Sequence, residues 1–257
     1  MLGAIIGDII GSVHEGRMTK TRDFPLFHPR ATFTDDSVLT VAVADWILEG
    51  GDLVEMLHRY YAQHPARGYG GMFSQWASER RKEPYNSFGN GSAMRVSPVG
   101  SAFGSLDEVL EWSAKSAAVT HNHPEGIRGA QAIASAVYYA RRIRNKEEIR
   151  ELLELRFGYD LHTPLEEIRP HYTFDVTCQG SVPQAIRAFL ESTSFEDAIR
   201  NAISLGGDAD TLACMAGGIA EAYYGIPEEI AAEARGRLDP QLVAVVQRFR
   251  DRYHRTT

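Results

Sequence analysis

A helix-start signal stands ahead of almost every apolar stretch of this chain, and strand-like alternation is nearly absent. Ser105-Leu-Asp-Glu108 has the form of a capping box ahead of Val109 to Val119, and Ser194-Phe-Glu-Asp197 opens Ala198 to Leu205 in the same way. Thr163-Pro164 and Ile226-Pro227 each place a proline at a first helical position, where a missing N–H does no harm. Asn145 caps a segment with Ile149, Leu152, Leu153 and Leu155 on one side and charges on the other. His123 to Arg144 and Pro240 to Tyr253 read as further helices. Only Tyr172-Thr-Phe-Asp-Val-Thr177 alternates as a strand would, and it is short. Without strand–helix alternation no parallel sheet is expected, so the chain reads as all-α, with roughly ten helices joined by short connections.

At 257 residues, 44% hydrophobic and 24% charged, the chain is long enough to bury a sizeable core. No repeat, low-complexity tract or Pro/Gly/Ser-rich linker divides it, so residues 1–257 are expected to form one domain. Asp and Glu outnumber Lys and Arg by 34 to 27, a net charge of −7. No basic run supplies the face that phosphate neutralisation needs, so general nucleic-acid binding is not expected, whereas a cation site is compatible. Cys178 and Cys214 lie far apart and outside any Cys-x-x-Cys pair, which implies neither a disulfide framework nor a sulfur zinc site and fits a reducing, cytoplasmic compartment. The apolar start lacks a basic n-region and is interrupted by Asp8. No stretch approaches the roughly 20 apolar residues of a membrane span, so no membrane partner is expected.

The chemistry concentrates in two acidic clusters. Thr34-Asp35-Asp36-Ser37 immediately precedes the apolar stretch Val38 to Leu48, and Gly207-Asp208-Ala209-Asp210-Thr211 precedes Leu212 to Tyr224. Helix capping accounts for one short acceptor side chain per helix start. Each cluster carries two aspartates and a threonine, and adjacent carboxylates raise one another's pKa unless a cation intervenes. The following helices have almost no polar face, so their starts are expected to be partly buried, where unpaired carboxylates are costly. If the two starts meet, the donor set is all oxygen, which selects Mg²⁺, Mn²⁺ or Ca²⁺ over Zn²⁺ and suits a pair of ions. Other templates fit poorly. Leu212 breaks the aspartyl-phosphate signature that Asp208-Ala-Asp-Thr211 begins, Ile219 stands where an EF-hand loop needs its glutamate, and no P-loop pattern occurs.

Four further features are weighed from residue chemistry. Tyr85-Asn-Ser-Phe-Gly-Asn-Gly-Ser92 reads either as an ordinary Gly-Asn turn or as small residues whose amides crowd a diphosphate at a helix start. Arg95, three residues beyond it and flanked by Met94 and Val96, reads equally as a phosphate cation or as half of a structural ion pair. His121-Asn-His123 has a zinc-ligand spacing, but it falls between helices and imidazole matches a hard-cation site poorly, so His121 is read as a substrate contact. Gly3, Gly7 and Gly11 share one helical face and are read as close helix packing.

Taken together, these residues resemble the ADP-ribosylglycohydrolase family, which includes the dinitrogenase reductase-activating glycohydrolase and the ADP-ribosyl-acceptor hydrolases. The resemblance runs nearly end to end, through Gly7-Asp-Ile-Ile-Gly-Ser12, Phe33-Thr-Asp-Asp-Ser37, Phe88-Gly-Asn-Gly-Ser-Ala-Met-Arg95, Val119-Thr-His121, Ser181-Val-Pro183, and Ser204-Leu-Gly-Gly-Asp-Ala-Asp-Thr211 followed by Met215-Ala-Gly-Gly-Ile-Ala220. It implies an all-α fold with two Mg²⁺ (or Mn²⁺) ions, cleaving the N- or O-glycosidic bond between ADP-ribose and an acceptor. It further implies Thr34, Asp35, Asp36, Asp208, Asp210 and Thr211 as metal ligands, with Asp210 bridging. Glu15 and Asp35 are implied as catalytic, and Ser87, Phe88, Gly89, Asn90, Gly91 and His121 as contacts to ADP-ribose. The alternatives are a metal-dependent hydrolase of another phosphorylated nucleoside or sugar, and a non-catalytic ADP-ribose-binding member of the fold. Loss of a cluster residue would mark the last, and none is missing.

Overall fold

The structure, a computed structural model, describes residues 1–253, and among these it contains fifteen α-helices and no strand. In chain order they are α1 (Leu2–Gly11), α2 (Asp35–Glu49), α3 (Leu53–Gln63), α4 (Gly71–Ser78), α5 (Gly91–Met94), α6 (Ser97–Ala102), α7 (Leu106–Ala118) and α8 (Pro124–Ala140). Then follow α9 (Lys146–Phe157), α10 (Leu165–Ile168), α11 (Cys178–Leu190), α12 (Phe195–Ile203), α13 (Ala209–Tyr224), α14 (Glu228–Arg235) and α15 (Pro240–Tyr253). The all-α reading holds. The count exceeds ten partly because α5, α6 and α10 span only 4, 6 and 4 residues, too few for a helical period to register.

The caps read from the sequence form. Ser105 and Glu108 close a reciprocal capping box, Ser194 accepts from the Asp197 amide, and Asn145 accepts from the amides of Glu147 and Glu148. Two positions shift by one residue. Pro164 and Pro227 are N-caps with extended ψ of 149° and 134°, not first helical residues, because a proline φ suits either place. The alternating Tyr172–Thr177 segment forms no strand. It pairs once, at an isolated bridge between Thr177 and Gly89, with Asn90 N–H donating to the Val176 carbonyl at 2.7 Å.

Helix α13 runs through the centre, buried on all sides from Ala209 to Ala220, and α1 is buried along its whole length. The two pack directly on each other, with α8, α11 and α12 also against α13 and α15 against α2. The glycine stripe of α1 makes the first contact possible. A Cβ on Gly3 would overlap the Gly217 carbonyl, one on Gly7 the Ala213 carbonyl, and one on Gly11 the Asp210 backbone. Ile5, Ile6, Ile9 and Ile10 fill the other faces of α1, each burial stabilising by about 1.5–3 kcal/mol.

One long connection, residues 12–34, departs from the expectation of short links. Arg200 Nη1 holds it through the carbonyls of Arg22 and Phe24 at 2.9 and 2.8 Å, and Arg237 Nη1 through those of His28 and Ala31 at 2.9 Å each. Lys20 Nζ fixes its middle to the Tyr172 carbonyl at 2.6 Å. The Gly16 amide donates to the Gly207 carbonyl at 3.0 Å, which carries Glu15 over the start of α13. No helix among the described residues is long and apolar enough to cross a membrane.

Candidate metal centre and ligand cavity

The starts of α2 and α13 meet. Thr211 Oγ1 lies 3.4 Å from Asp36 Oδ2, joining the two clusters. Capping explains little of either. Thr34 alone caps α2, accepting from the Asp36 amide at 3.3 Å, and Asp208 sits at the N-cap of α13 with no side-chain cap bond. Before α13 the chain turns through Gly206 and Gly207, both left-handed with φ of 76° and 74°, a conformation that favours glycine. Asp36, Asp208, Asp210 and Thr211 are buried, while Thr34 and Asp35 are partly exposed.

Two carboxylate groupings have oxygens all within 4.8 Å of one another: Asp8, Asp36 and Asp210, and Glu15, Asp208 and Asp210. Asp210 belongs to both. The six acids involved, counting Asp35, all have pKa values pushed up, first by burial. For Asp35, Asp36, Asp210 and Glu15 neighbouring carboxylates push further in the same direction. Asp36 Oδ1 is buried with no hydrogen-bond partner, an unmet acceptor in the middle of the cluster. An all-oxygen set with an orphaned carboxylate oxygen fits a hard divalent cation.

Asp8 was not foreseen as a member. It is fully buried and receives four hydrogen bonds: from the Thr34 amide at 2.9 Å, the Thr34 hydroxyl at 2.6 Å, the Ser37 amide at 3.0 Å, and the Ser37 hydroxyl. The available signal was a lone charge inside an otherwise apolar helix, a placement that demands a partner.

A cavity of about 550 Å³ opens over the cluster. Its acidic floor includes Glu15, Asp35, Asp36, Asp208, Asp210 and Thr211, and one wall includes Ser87, Gly89, Asn90, Gly91 and His121. Gly68 and Gly70 to Phe73 also line the cavity and had no counterpart in the sequence reading. Phe88 does not line the cavity; it stands exposed, its ring 5.2 Å from that of His123. The Asn90 amide nitrogen donates to Asp208 Oδ2 at 2.7 Å and to Ser181 Oγ at 3.1 Å, tying the loop to the acidic cluster.

The ion-pair reading of Arg95 does not hold. It is fully buried and makes no ion pair; its Nη2 donates to the Ser116 carbonyl at 2.8 Å and to Thr120 Oγ1 at 2.9 Å. Its pKa is pushed down to about 10 by burial. His123 caps α8, accepting from the Glu125 amide at 3.1 Å, so the His-x-His pair forms no ligand set. His14 bonds Thr19 at 3.1 Å, and its ring lies 4.7 Å from that of Phe24, tilted by 52°.

Comparisons with known proteins agree with this architecture. ADP-ribosylhydrolase ARH3 of Mus musculus is 28% identical over 329 residues, covering 95% of this chain and 88% of that protein. ADP-ribosylarginine hydrolase Tri1 of Pseudomonas putida (strain GB-1) is 26% identical, covering 88% of this chain and 70% of that protein. A solved structure titled ADP-ribosylglycohydrolase-related protein complex superposes with a TM-score of 0.72 at 24% identity, covering 98% of this chain and 97% of that one, a likeness of fold. The family model described as ADP-ribosylglycohydrolase matches residues 1–256, and the chain belongs to that family.

Proposed function

We propose that this protein hydrolyses the glycosidic bond between ADP-ribose and an acceptor, using a pair of Mg²⁺ (or Mn²⁺) ions held where α2 and α13 meet. One observation carries the reading: buried carboxylates from three segments converge under a cavity of about 550 Å³, and Asp36 Oδ1 among them has no partner. Carboxylates this crowded and buried are tolerable when cations offset them. Two divalent ions would offset four of the seven excess negative charges of the chain. Thr34, Asp35, Asp36, Asp208, Asp210 and Thr211 would hold them, with Asp210, common to both groupings, between the two. When bound, the ions supply positive charge that orients sugar hydroxyls and makes water easier to deprotonate.

The chain's own groups do the rest. Glu15 is exposed at the cavity edge with its pKa raised, which suits a carboxyl that takes a proton from water or delivers one to the departing acceptor. The bond between the anomeric carbon and the acceptor breaks, water adds its oxygen to that carbon, and the acceptor leaves with a proton. Asp35 and its neighbours stabilise the oxocarbenium character of the transition state electrostatically. The Ser87–Gly91 loop and His121 bind the diphosphate side, and the exposed Phe88 ring offers a face for a planar base. Both cysteines are buried free thiols, in keeping with a reducing cytoplasmic compartment.

Asp35→Ala, assayed for ADP-ribose release from ADP-ribosylated acceptors in Mg²⁺, is expected to abolish turnover with the circular dichroism unchanged. Normal turnover by that variant overturns the assignment. A panel of acceptors carrying arginine, serine, nucleobase or small-molecule linkages, with and without EDTA, identifies the leaving group.

A further inference from the structure

Arg95 is the one fully buried guanidinium lining the cavity among the described residues, and it has no carboxylate partner. Its contacts lead to His121 by a chain of fixed donors and acceptors. A guanidinium can only donate, so Thr120 Oγ1, 2.9 Å from Arg95 Nη2, must accept. The Thr120 hydroxyl then keeps its own hydrogen for another partner, and His121 Nδ1 lies 2.7 Å away. If Thr120 donates there, Nδ1 must be the bare nitrogen of the ring, and the ring hydrogen sits on Nε2.

Nε2 faces the glycine loop. It lies 3.3 Å from where a Cβ on Gly91 would be, and 3.6 Å from the same point on Gly89. We propose that Arg95, acting through Thr120, fixes His121 as the Nε2–H tautomer, a preset hydrogen-bond donor aimed along the Ser87–Gly91 loop at a phosphoryl oxygen of the ligand. Arg95 and Thr120 are positioning residues in this scheme; only His121 touches the ligand. The proposal rests on the reading that the cavity takes ADP-ribose.

Two further observations agree. Burial, followed by the Arg95 charge, holds the His121 pKa well below its ordinary value, so the ring is neutral and carries one hydrogen. A neutral ring with one hydrogen has one donor, and its position decides whether an anionic oxygen meets an N–H or a lone pair. Tyr85 also shares a hydrogen bond with Thr120, and a phenol hydroxyl that donates there leaves the Thr120 hydrogen for His121.

The test begins without mutation. In ¹⁵N-resolved spectra of the histidine side chains of the full chain, with His121→Gln used for assignment, the His121 signals are expected to show a protonated Nε2 and a bare Nδ1. Thr120→Val, which removes the hydroxyl at nearly constant volume, should shift His121 towards mixed tautomers and weaken ADP-ribose about tenfold, the scale of one hydrogen bond to a charged group. Adenosine, which lacks the diphosphate, should bind that variant as it binds the parent. Thr120→Ser should restore both the spectrum and the ADP-ribose affinity. A protonated Nδ1 in the parent protein, as would follow if Thr120 gave its hydrogen to Tyr85, overturns the inference regardless of ligand. An unchanged tautomer and affinity in Thr120→Val overturns it too. A parent protein with Nε2–H that binds no ADP-ribose refutes the ADP-ribose reading and, with it, the assigned ligand atom.

Discussion

The Thr34 hydroxyl donates its hydrogen to Asp8 Oδ1 at 2.6 Å. That bond removes the one hydrogen Thr34 could turn towards a cation and leaves its oxygen lone pairs for the cluster. In the proposed metal centre Asp8 would thus hold Thr34 in place as outer partners of metal ligands do. Asp8→Asn replaces an acceptor-only group with one that also donates, facing donors from Thr34 and Ser37. Titration calorimetry with Mn²⁺ is expected to show affinity reduced by about 10–100-fold; equal affinity would mean that Asp8 serves the fold alone.

Divalent ions should stabilise the fold by mass action. At about a hundredfold excess over Kd the gain is about 2.7 kcal/mol, or roughly 5–10 °C in Tm for a chain of this size. Melting curves in Mg²⁺ against EDTA measure it. Asp36→Ala should remove the difference, since the orphaned oxygen at the centre of the cluster goes with it; a shift that survives in that variant would place the ions elsewhere.

The stability of the ion-free protein should depend on pH in a specific direction. Burial, as the first cause, raises Asp8, Asp35, Asp36, Asp208 and Asp210 above the ordinary 3.8. Between that value and their raised ones the folded chain holds protons that the unfolded chain has released, so stability falls as pH rises through the window. It is fully present below about pH 4 so far as these groups are concerned. Bound cations relieve the charge, so the Mg²⁺-minus-EDTA difference in Tm should widen from pH 5 to pH 8. A difference independent of pH contradicts the account.

Gly7→Ala tests the helix contact. Alanine improves helix propensity by about 1 kcal/mol. The new Cβ, however, would overlap the Ala213 carbonyl, and backbone cannot swing aside as a side-chain tip can. Overpacking of this kind costs about 1–3 kcal/mol or more. Urea unfolding should show a net loss of stability, and a neutral or stabilised variant would mean that α1 and α13 sit farther apart.

The two acidic clusters were legible because each offered more carboxylates than a cap uses, ahead of helices too apolar to lie outside. The all-α class was legible from capping boxes and from the lack of alternation. Asp8 escaped because a single acid in a helix has no spacing to read, and its role depends on residues at 34 and 37 brought to it by folding. Arg95 escaped for the same reason: Thr120 and Ser116 become its partners only once α7 packs against α5. The Gly68 to Phe73 lining was silent because a glycine-rich turn looks alike whether it faces a cavity or solvent.

The packing of α1 on α13 also governs when the site can exist. Asp36 and Thr211 are 175 positions apart in the chain, yet they meet, and Asp8 lies still earlier. During synthesis the first half of the cluster emerges long before its complement, and contacts of such separation close late. A ribosome-bound fragment ending before α13 would carry Asp8, Asp35 and Asp36 without Asp210, the acid common to both groupings. Ion capture would therefore report synthesis through the start of α13, making metal uptake a late folding event.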